Sequence, residues 1–388
     1  MTGAANTNGI DDGLGTLQTP CLLLDQRKLA ANLAGMQAQV SRHGVAFRPH
    51  LKTAKSIDVA RMAMTSPSGP ATVSTLKEAE YFAERGVTDL TYAVGIAPNK
   101  LDRVGEIRRR WKADLAVVLD SLVQAEAVAA WSRASGDRLP VFIEVDPDGH
   151  RSGVKPGNAE LLRGIGERLA QGAALRGVLL HAGESYGLSD PEALAHAAEG
   201  ERKAALQAAE TLRAAGFECP VVSVGSTPTA RHARHLDGIT EVRAGVYMFG
   251  DLVQAGIGSC AVEDICVSVL ATVIGHQPEK GWIITDAGWM AMSRDRGTAT
   301  QAVDQGYGIV CDRLGHAYAD VIVAQANQEH GVLAVRKGSS AQLPELPVGT
   351  LVRILPNHAC ATAAQYDRYH VIDGEGRASA VWERINGW

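Results

Sequence analysis

The sequence predicts an α/β fold, a (β/α)₈ TIM barrel followed by a smaller C-terminal β domain. Between about residues 45 and 250, short β-branched apolar runs alternate with Ala- and Leu-rich amphipathic segments. This alternation indicates parallel strands that are covered on both faces by helices. After about residue 251, strand-like runs recur with no long helix between them, which is typical of a separate β domain. A chain of 388 residues suits one large and one smaller domain. A doubly wound open sheet is the alternative for the first domain.

The apolar runs give eight candidate strands for the barrel and six for the β domain. The early run 20–24 is expected to pair with the β domain, so the predicted barrel spans residues 26–255. The β domain then comprises residues 1–25 and 256–388. Candidate barrel strands lie at 45–53, 71–76, 89–94, 114–120, 141–146, 177–182, 221–226 and 242–249. The β-domain strands are predicted at 20–24, 266–276, 282–286, 321–326, 332–335 and 351–355.

Composition excludes several classes of function. A net charge of -5 with no basic block argues against nucleic-acid or membrane-surface partners. The first fifteen residues are polar and Gly-rich, and no apolar run reaches membrane-spanning length, so a cytoplasmic protein is expected. Six cysteines lack CxxC spacing, which in a reducing compartment predicts free thiols rather than disulfides.

Lys52 is the first residue to which the sequence assigns chemistry. It follows Arg48 and His50 at alternate positions of the first predicted strand, so all three side chains are expected on one face. A charged, unpaired lysine inside a barrel is costly and therefore needs a partner or a function. Desolvation and a nearby cation lower the pKa of a lysine and make its amine available for Schiff-base chemistry. The alternative is a lysine that closes the strand and reaches solvent.

Two further sites are predicted in loops after later barrel strands. Arg151 lies between two glycines directly after the fifth strand, where a tight loop would aim its guanidinium; a solvated loop arginine is the alternative. Ser226 and Thr227 leave the seventh strand, and the eighth contains the run 243–247. Loops after strands seven and eight commonly bind phosphate in such barrels, through backbone N–H groups and small hydroxyls.

The β domain contains a candidate metal site at His358 and Cys360. Side chains at i and i+2 lie on one face of an extended segment, close enough to hold one cation. Imidazole with thiolate favours zinc or a similar metal over magnesium. Two protein ligands are too few for a closed structural site, so substrate or water would complete the shell. A packed histidine beside a buried thiol is the alternative.

Taken together, these segments resemble the D-serine dehydratase / D-threonine aldolase family of fold-type III pyridoxal-phosphate (PLP) enzymes, which is related to alanine racemase. The resemblance covers almost the whole chain, in matching order. Its most specific parts are Pro-His-x-Lys-Thr at 49–53 and Pro-Asn-His-x-Cys at 356–360. This chain departs from many relatives at Ala54, where they have a histidine. Supporting segments lie at 73–80, 148–154, 181–186, 224–229 and 286–293.

The resemblance implies a role for each segment. Lys52 would hold PLP as a Schiff base and, once released, would remove the Cα proton. Arg151 would hydrogen-bond the phenolate oxygen of the cofactor, and Tyr186 would lie beside its pyridine ring. His358 and Cys360 would bind the catalytic divalent metal, with zinc favoured and manganese or cobalt as alternatives. The phosphate would be held by Ser226, Thr227, Gly245 and Val246.

The implied activity is that of a lyase acting on D-3-hydroxy amino acids. Dehydration of D-threo-3-hydroxyaspartate to oxaloacetate and ammonia is the expected reaction, with D-serine to pyruvate as a second one. For a second carboxylate, Arg294, Arg296 and His330 are loop candidates. Relatives vary between Cys and Asp at the second metal position, so retro-aldol cleavage to glycine and an aldehyde is the alternative.

Other classes also stay open at this point. A PLP-carrier protein is the non-enzyme alternative, although such proteins lack a β domain. Racemase activity and a barrel metallohydrolase are further rivals. Related enzymes build each active site from two subunits, so a homodimer is expected.

Overall fold

The computed structural model describes residues 13–388 and divides the chain into two compact units. One unit, the barrel unit, comprises Leu33–Met248, Ile257–Ser259 and Ile385–Trp388. The other, the β unit, comprises the described part of Met1–Asn32 with Phe249–Gly256 and Cys260–Arg384. The predicted β domain also includes residues 1–12, and these lie outside the described residues. The domain boundaries at residues 25 and 256 stay a prediction.

After a short 3₁₀ turn at Leu14–Thr16, the described chain forms β1 (Cys21–Asp25) and α1 (Gln26–Ser41) and then enters an eight-stranded parallel sheet. The sheet order is β2-β9-β8-β7-β6-β5-β4-β3, and a parallel bridge between His50 and Thr72 joins its two ends. This nearly closed barrel confirms the predicted fold class. Its strands are β2 (Ala46–Pro49), β3 (Ala71–Val73), β4 (Asp89–Gly95), β5 (Asp114–Leu119), β6 (Pro140–Val145), β7 (Ala174–Leu180), β8 (Val221–Val224) and β9 (Glu241–Ala244).

Helices alternate with these strands, and the longest shows why they form. The Asp190 side chain caps its first turn by accepting the Ala193 N–H at 2.8 Å, and Pro191 occupies the first helical position. Inward positions such as Leu194 and Ala205 are fully buried. The barrel helices are α2 (Ile57–Ala63), α3 (Leu76–Glu84), α4 (Leu101–Trp111), α5 (Leu122–Ser135), α6 (Ala159–Leu169), α7 (Pro191–Ala214) and α8 (Thr227–His232).

The β unit contains a nine-stranded sheet of order β11-β14-β13-β12-β15-β10-β1-β16-β17. An additional pairing of β10 with β11 closes six of these strands into an antiparallel ring. As predicted, the early strand β1 joins this sheet, antiparallel to β10 and parallel to β16. The strands are β10 (Val267–Gln277), β11 (Trp282–Thr285), β12 (Gly308–Cys311), β13 (Ala317–Ala326), β14 (Gly331–Val335), β15 (Leu351–Pro356), β16 (Arg368–Ile372) and β17 (Ala378–Glu383); the helices are α9 (Leu252–Ile257), α10 (Trp289–Met292) and α11 (Ala359–Ala363).

The first barrel strand is much shorter than predicted, and this changes the position of Lys52. β2 ends at Pro49, which has no N–H to donate to a ladder, and residues 51–54 form a turn. Arg48 does point inward, where it pairs with Glu241 at 2.6 Å. Lys52 lies in the turn after the strand with an exposed side chain. Its predicted place within the strand was therefore wrong, and the alternative of a lysine that reaches solvent is met.

Two further observations concern the cysteines and the helices. All six cysteines are free thiols. Within residues 13–388, no helix combines the length and the apolar character needed to cross a bilayer.

Candidate active site

The seven residues predicted to hold PLP all lie in the barrel unit, after the carboxyl ends of five strands. Lys52 follows β2, Arg151 follows β6, and Tyr186 lies in a short 3₁₀ turn after β7. The remaining four follow β8 and β9. Because all the strands are parallel, their carboxyl ends meet at one face of the barrel, which is where (β/α)₈ enzymes carry their catalytic residues.

His50 contacts the turn that contains Lys52. Its Nδ1 accepts the Lys52 backbone N–H at 3.4 Å, which leaves the Nε2 proton facing the Ser74 hydroxyl oxygen at 3.4 Å. Partial burial, together with the positive charge of Lys52, lowers the pKa of His50 well below its usual value. The imidazole is therefore a neutral neighbour of the Lys52 turn rather than a competing cation.

His181 connects three of the predicted residues. Partial burial and the charge of Lys52 lower its pKa to about 3, and the charge of Arg151 acts in the same direction. Its Nδ1 donates to the Gly225 carbonyl at 3.1 Å, so its Nε2 carries the free lone pair. The Tyr186 ring lies 6.1 Å away between centroids. Lys52, Arg151 and Tyr186 thus surround one neutral imidazole.

The loop that carries Arg151 is fixed by carboxylates at the ends of strands. The Arg151 guanidinium lies 3.8 Å from the Glu144 carboxylate, which also accepts the Ser152 hydroxyl at 3.1 Å. Burial raises the pKa of Glu144. The Gly153 N–H donates to Asp120 at 2.9 Å with φ at +121°, a conformation that favours glycine. These contacts hold the loop, as predicted from its glycines, while half of the Arg151 side chain stays exposed.

The loops after β8 and β9 form a cradle of backbone donors. In the part of the chain that the structure describes, the N–H groups of Thr227, Gly245 and Val246 donate no hydrogen bond. The Thr227 hydroxyl accepts the Tyr247 N–H at 3.2 Å and so joins the two loops. A Cβ on Gly245 would lie 3.1 Å from the His50 carbonyl oxygen, so the cradle is tightest there. Adjoining free N–H groups with a small hydroxyl fit a phosphate.

Ser226 supports this cradle indirectly. Its hydroxyl caps α8 by accepting the Thr229 N–H at 3.2 Å, and the Thr229 hydroxyl accepts the Ser226 N–H at 3.0 Å. It also lies 3.0 Å from the Ser185 hydroxyl, beside Tyr186. The side chain is therefore engaged in fixing the two loops.

In the β unit, His358 and Cys360 are brought together as predicted, but not on an extended segment. His358 is the extended N-cap of α11, and Cys360 lies in the first turn of that helix. The two side chains are hydrogen-bonded. The Asp295 carboxylate lies 2.6 Å from His358 Nδ1. Residues 13–388 contain no cluster of three or more His, Cys, Asp or Glu side chains suited to a metal.

The metal-site segment is anchored by Asp251 and Asn357. The buried Asp251 carboxylate accepts the Ala359 N–H at 2.9 Å and the Gln254 N–H at 2.8 Å. The side-chain carbonyl of Asn357 accepts a hydrogen bond from the Thr298 hydroxyl at 2.8 Å. These contacts fix the backbone on both sides of His358.

Comparisons with known proteins decide the family. The sequence profile of the alanine racemase N-terminal domain matches residues 24–253, and that of a serine dehydratase domain matches residues 266–372. A D-threo-3-hydroxyaspartate dehydratase from Delftia sp. (strain HT23) is 52% identical over 382 residues, covering 98% of this chain and 100% of that protein. The chain belongs to the D-serine dehydratase / D-threonine aldolase family. It is accordingly a lyase of the fold-type III PLP class.

Two further similarities extend this result. A D-serine dehydratase from Dictyostelium discoideum is 29% identical over 401 residues, covering 98% of this chain and 100% of that protein. The solved structure of a cysteine-to-alanine mutant of D-threo-3-hydroxyaspartate dehydratase, in the metal-free form, superposes with a TM-score of 0.94. It is 52% identical and covers 96% of this chain and 99% of that one. The family therefore includes dehydratases that match this chain from end to end.

Sequence reasoning missed three residues that contact the predicted site segments, namely His181, Asp295 and Glu201, which accepts the Ala182 and Gly225 N–H groups. His181 was seen only as part of a motif. Glu201 had a usable signal, since it is a carboxylate at an inward position of α7, in register with Leu194 and Ala198. Asp295 lies in a loop without periodicity, so no sequence pattern could have paired it with His358.

Proposed function

We propose that this chain is a PLP- and divalent-metal-dependent dehydratase that converts D-threo-3-hydroxyaspartate to oxaloacetate and ammonia. The observation that carries the proposal is the paired His358 and Cys360, in a chain that matches a dehydratase of that substrate at 52% identity over its full length. D-Serine, which lacks the second carboxylate, is the expected secondary substrate and would give pyruvate.

The barrel residues supply the cofactor site. PLP, when bound, supplies an electron sink for the charge that develops at Cα. Lys52 would attach it, and the amine of Lys52, once released, is the base that removes the Cα proton. Arg151 and Tyr186 would orient the ring. The free N–H groups of Thr227, Gly245 and Val246 support phosphate binding, with Ser226 holding their loops in place.

The β-unit residues supply the metal site. A divalent metal, when bound, supplies Lewis-acid assistance for departure of the β-hydroxyl, since hydroxide is otherwise a poor leaving group. His358 and Cys360 would hold it and leave positions open for substrate. Imidazole with thiolate favours zinc, with manganese or cobalt as alternatives. The metal-free cysteine mutant of the related dehydratase supports the role of Cys360.

The second carboxylate of the substrate requires a cationic partner near the β-carbon. Of the two arginines that flank Asp295, Arg296 is paired with Asp304 at 2.7 Å. Arg294 is exposed, and its guanidinium lies over the Trp289 ring at 4.7 Å. Arg294 is therefore the stronger candidate. We expect Arg294→Gln to raise KM for D-threo-3-hydroxyaspartate and to leave KM for D-serine unchanged.

Product analysis tests the proposed reaction. The purified enzyme, supplied with PLP and zinc and then given D-threo-3-hydroxyaspartate, should release oxaloacetate and ammonia in equal amounts. His358→Ala should abolish this release. Glyoxylate with glycine would instead establish the aldolase reaction, and loss of optical rotation without ammonia would establish a racemase. Absence of all turnover, with PLP bound, would favour a carrier protein.

Two family properties complete the proposal. The native metal is proposed to be zinc, which elemental analysis of the purified protein tests. The enzyme is proposed to be a homodimer, as its resemblance to related enzymes implies, and sedimentation equilibrium tests this.

A further inference from the structure

Asp295 is held in a fixed orientation against His358. One of its carboxylate oxygens lies 2.6 Å from His358 Nδ1, and the other accepts the Gly297 N–H at 2.8 Å. Its backbone carbonyl accepts the Asn357 side-chain amide at 3.4 Å. The backbone and the side chain of Asp295 are therefore both hydrogen-bonded within the β unit, and these bonds orient its carboxylate toward the imidazole.

This contact selects one form of the imidazole. An ionised carboxylate only accepts hydrogen bonds, so His358 Nδ1 must carry the proton that joins them. In the neutral ring, Nε2 is then the nitrogen with the free lone pair. Cys360 lies two positions further along the chain, in the first turn of α11, which begins after His358. Carboxylates that accept from the distal N–H of a ligating histidine fix its tautomer and strengthen metal binding.

We propose that Asp295 is a positioning residue that fixes the tautomer and orientation of His358 for metal binding. The inference rests on the metal site of the proposed function. It assigns Asp295 no contact with the metal. Asp295 acts through His358, and its loss lowers metal affinity without removing a ligand.

Asp295→Asn tests the proposal because asparagine has nearly the same shape as aspartate but has an amide in place of the carboxylate. The amide oxygen can still accept the Gly297 N–H, which preserves the loop, whereas the amide nitrogen would donate to His358 Nδ1. That reversal places the imidazole proton on Nε2, the nitrogen needed for the metal. In a titration of the PLP-loaded protein with Co²⁺ against a competing chelator, the Kd should rise roughly 10–100-fold.

Asp304→Asn is the matched control. Asp304 lies in the same loop region, and its carboxylate pairs with Arg296 at 2.7 Å and accepts the Gly306 N–H at 2.9 Å. The chemical change is identical, but Asp304 makes no hydrogen bond to His358. We expect its Co²⁺ affinity to equal that of the wild type. Equal affinity in Asp295→Asn as well would overturn the proposal.

The His358→Ala background separates a positioning role from direct ligation. If Asp295 acts only through His358, adding Asp295→Asn to His358→Ala should not weaken Co²⁺ binding further. A further loss in the double variant would mean that Asp295 is itself a ligand and would refute the proposal. If the wild type binds no Co²⁺ or Zn²⁺ at all, the metal requirement of the proposed function fails first, and this inference fails with it. Failure of the proposed function would thus appear in the wild type itself. Failure of this inference alone would appear as an unchanged Co²⁺ affinity of Asp295→Asn.

Discussion

Neutral histidines in a cationic environment are the main feature of the cofactor site at the level of single residues. His50 and His181 both have lowered pKa values, because partial burial and the charge of Lys52 disfavour protonation. Each ring has a defined partner, Ser74 for His50 and the Gly225 carbonyl for His181. The two imidazoles are therefore neutral groups beside the residues proposed to bind the cofactor.

The lowered pKa of His181 predicts a specific dependence of stability on pH. In the unfolded chain its pKa is about 6.5, against about 3 in the folded protein. Its contribution to stability is therefore present above pH ~6.5 and is lost as pH falls toward the folded pKa. Over this window the unfolded chain binds one more proton, which lowers the free energy of unfolding by about 1.4 kcal/mol per pH unit.

His181→Asn should remove that slope. The asparagine amide can still donate to the Gly225 carbonyl, but it does not titrate. Urea unfolding of the PLP-free proteins at several pH values between 6.5 and 4 should show a shallower decline for His181→Asn. Parallel curves would mean that the folded protein binds a proton at His181 as readily as the unfolded chain does.

At the level of elements, α7 holds two active-site loops through one buried carboxylate. Glu201 accepts the N–H groups of Ala182 and Gly225 at 3.1 and 2.9 Å and the Thr229 hydroxyl at 2.9 Å. Ala182 and Gly225 belong to the loops after β7 and β8, which carry Tyr186 and Ser226, and Thr229 lies in the first turn of α8. Burial raises the pKa of Glu201, while its three donors oppose this. One residue of a helix therefore sets the relative position of two loops.

Glu201→Ala should destabilise the protein strongly, because three donors would lose their acceptor. At about 1–3 kcal/mol for each unsatisfied buried group, we expect a loss of about 3 kcal/mol or more in the free energy of unfolding. Glu210→Ala, at an exposed position of the same helix, should change it by less than about 0.5 kcal/mol. Urea midpoints measure both. Similar midpoints for the two variants would show that water replaces Glu201 without cost.

The elements also show how far sequence reasoning reaches. Apolar runs located all eight barrel strands and six strands of the β domain, since burial on both faces leaves a continuous apolar pattern. β12, β16 and β17 were missed. β17 is mostly exposed along its length and β12 has four residues, so neither has a marked pattern. Their strand conformation comes from pairing with neighbours, which a single sequence does not reveal.

The candidate site shows the same contrast between residues that have a sequence pattern and residues that are defined by tertiary contacts. Residues in specific motifs, such as Lys52 and Cys360, could be predicted because their chemistry is uncommon in those patterns. Residues that act through tertiary contacts could not, because Asp295 and His358 are 63 positions apart. The turn that contains Lys52 was also missed, since the effect of Pro49 on strand length was not considered.

At the level of the whole molecule, the two sets of site residues are supported separately. The PLP residues are held by contacts within the barrel unit, such as those of Glu201 and Glu144. His358 and Cys360 are held by Asp251, Asn357 and Asp295 within the β unit. Cofactor binding and metal binding should therefore be separable by mutation.

Lys52→Ala and His358→Ala test this separation as a pair. Lys52→Ala removes the amine that attaches PLP, so the purified protein should lose its visible absorption and its turnover while it retains metal. His358→Ala removes one of two metal ligands, so it should lose metal and turnover while its visible absorption persists. Absorption spectra and elemental analysis of the same samples measure both properties. A Lys52→Ala protein that keeps colour and turnover would refute the catalytic role of Lys52. Loss of metal from Lys52→Ala would show instead that the two sites bind cooperatively, because their supports within each unit give no other reason for coupling.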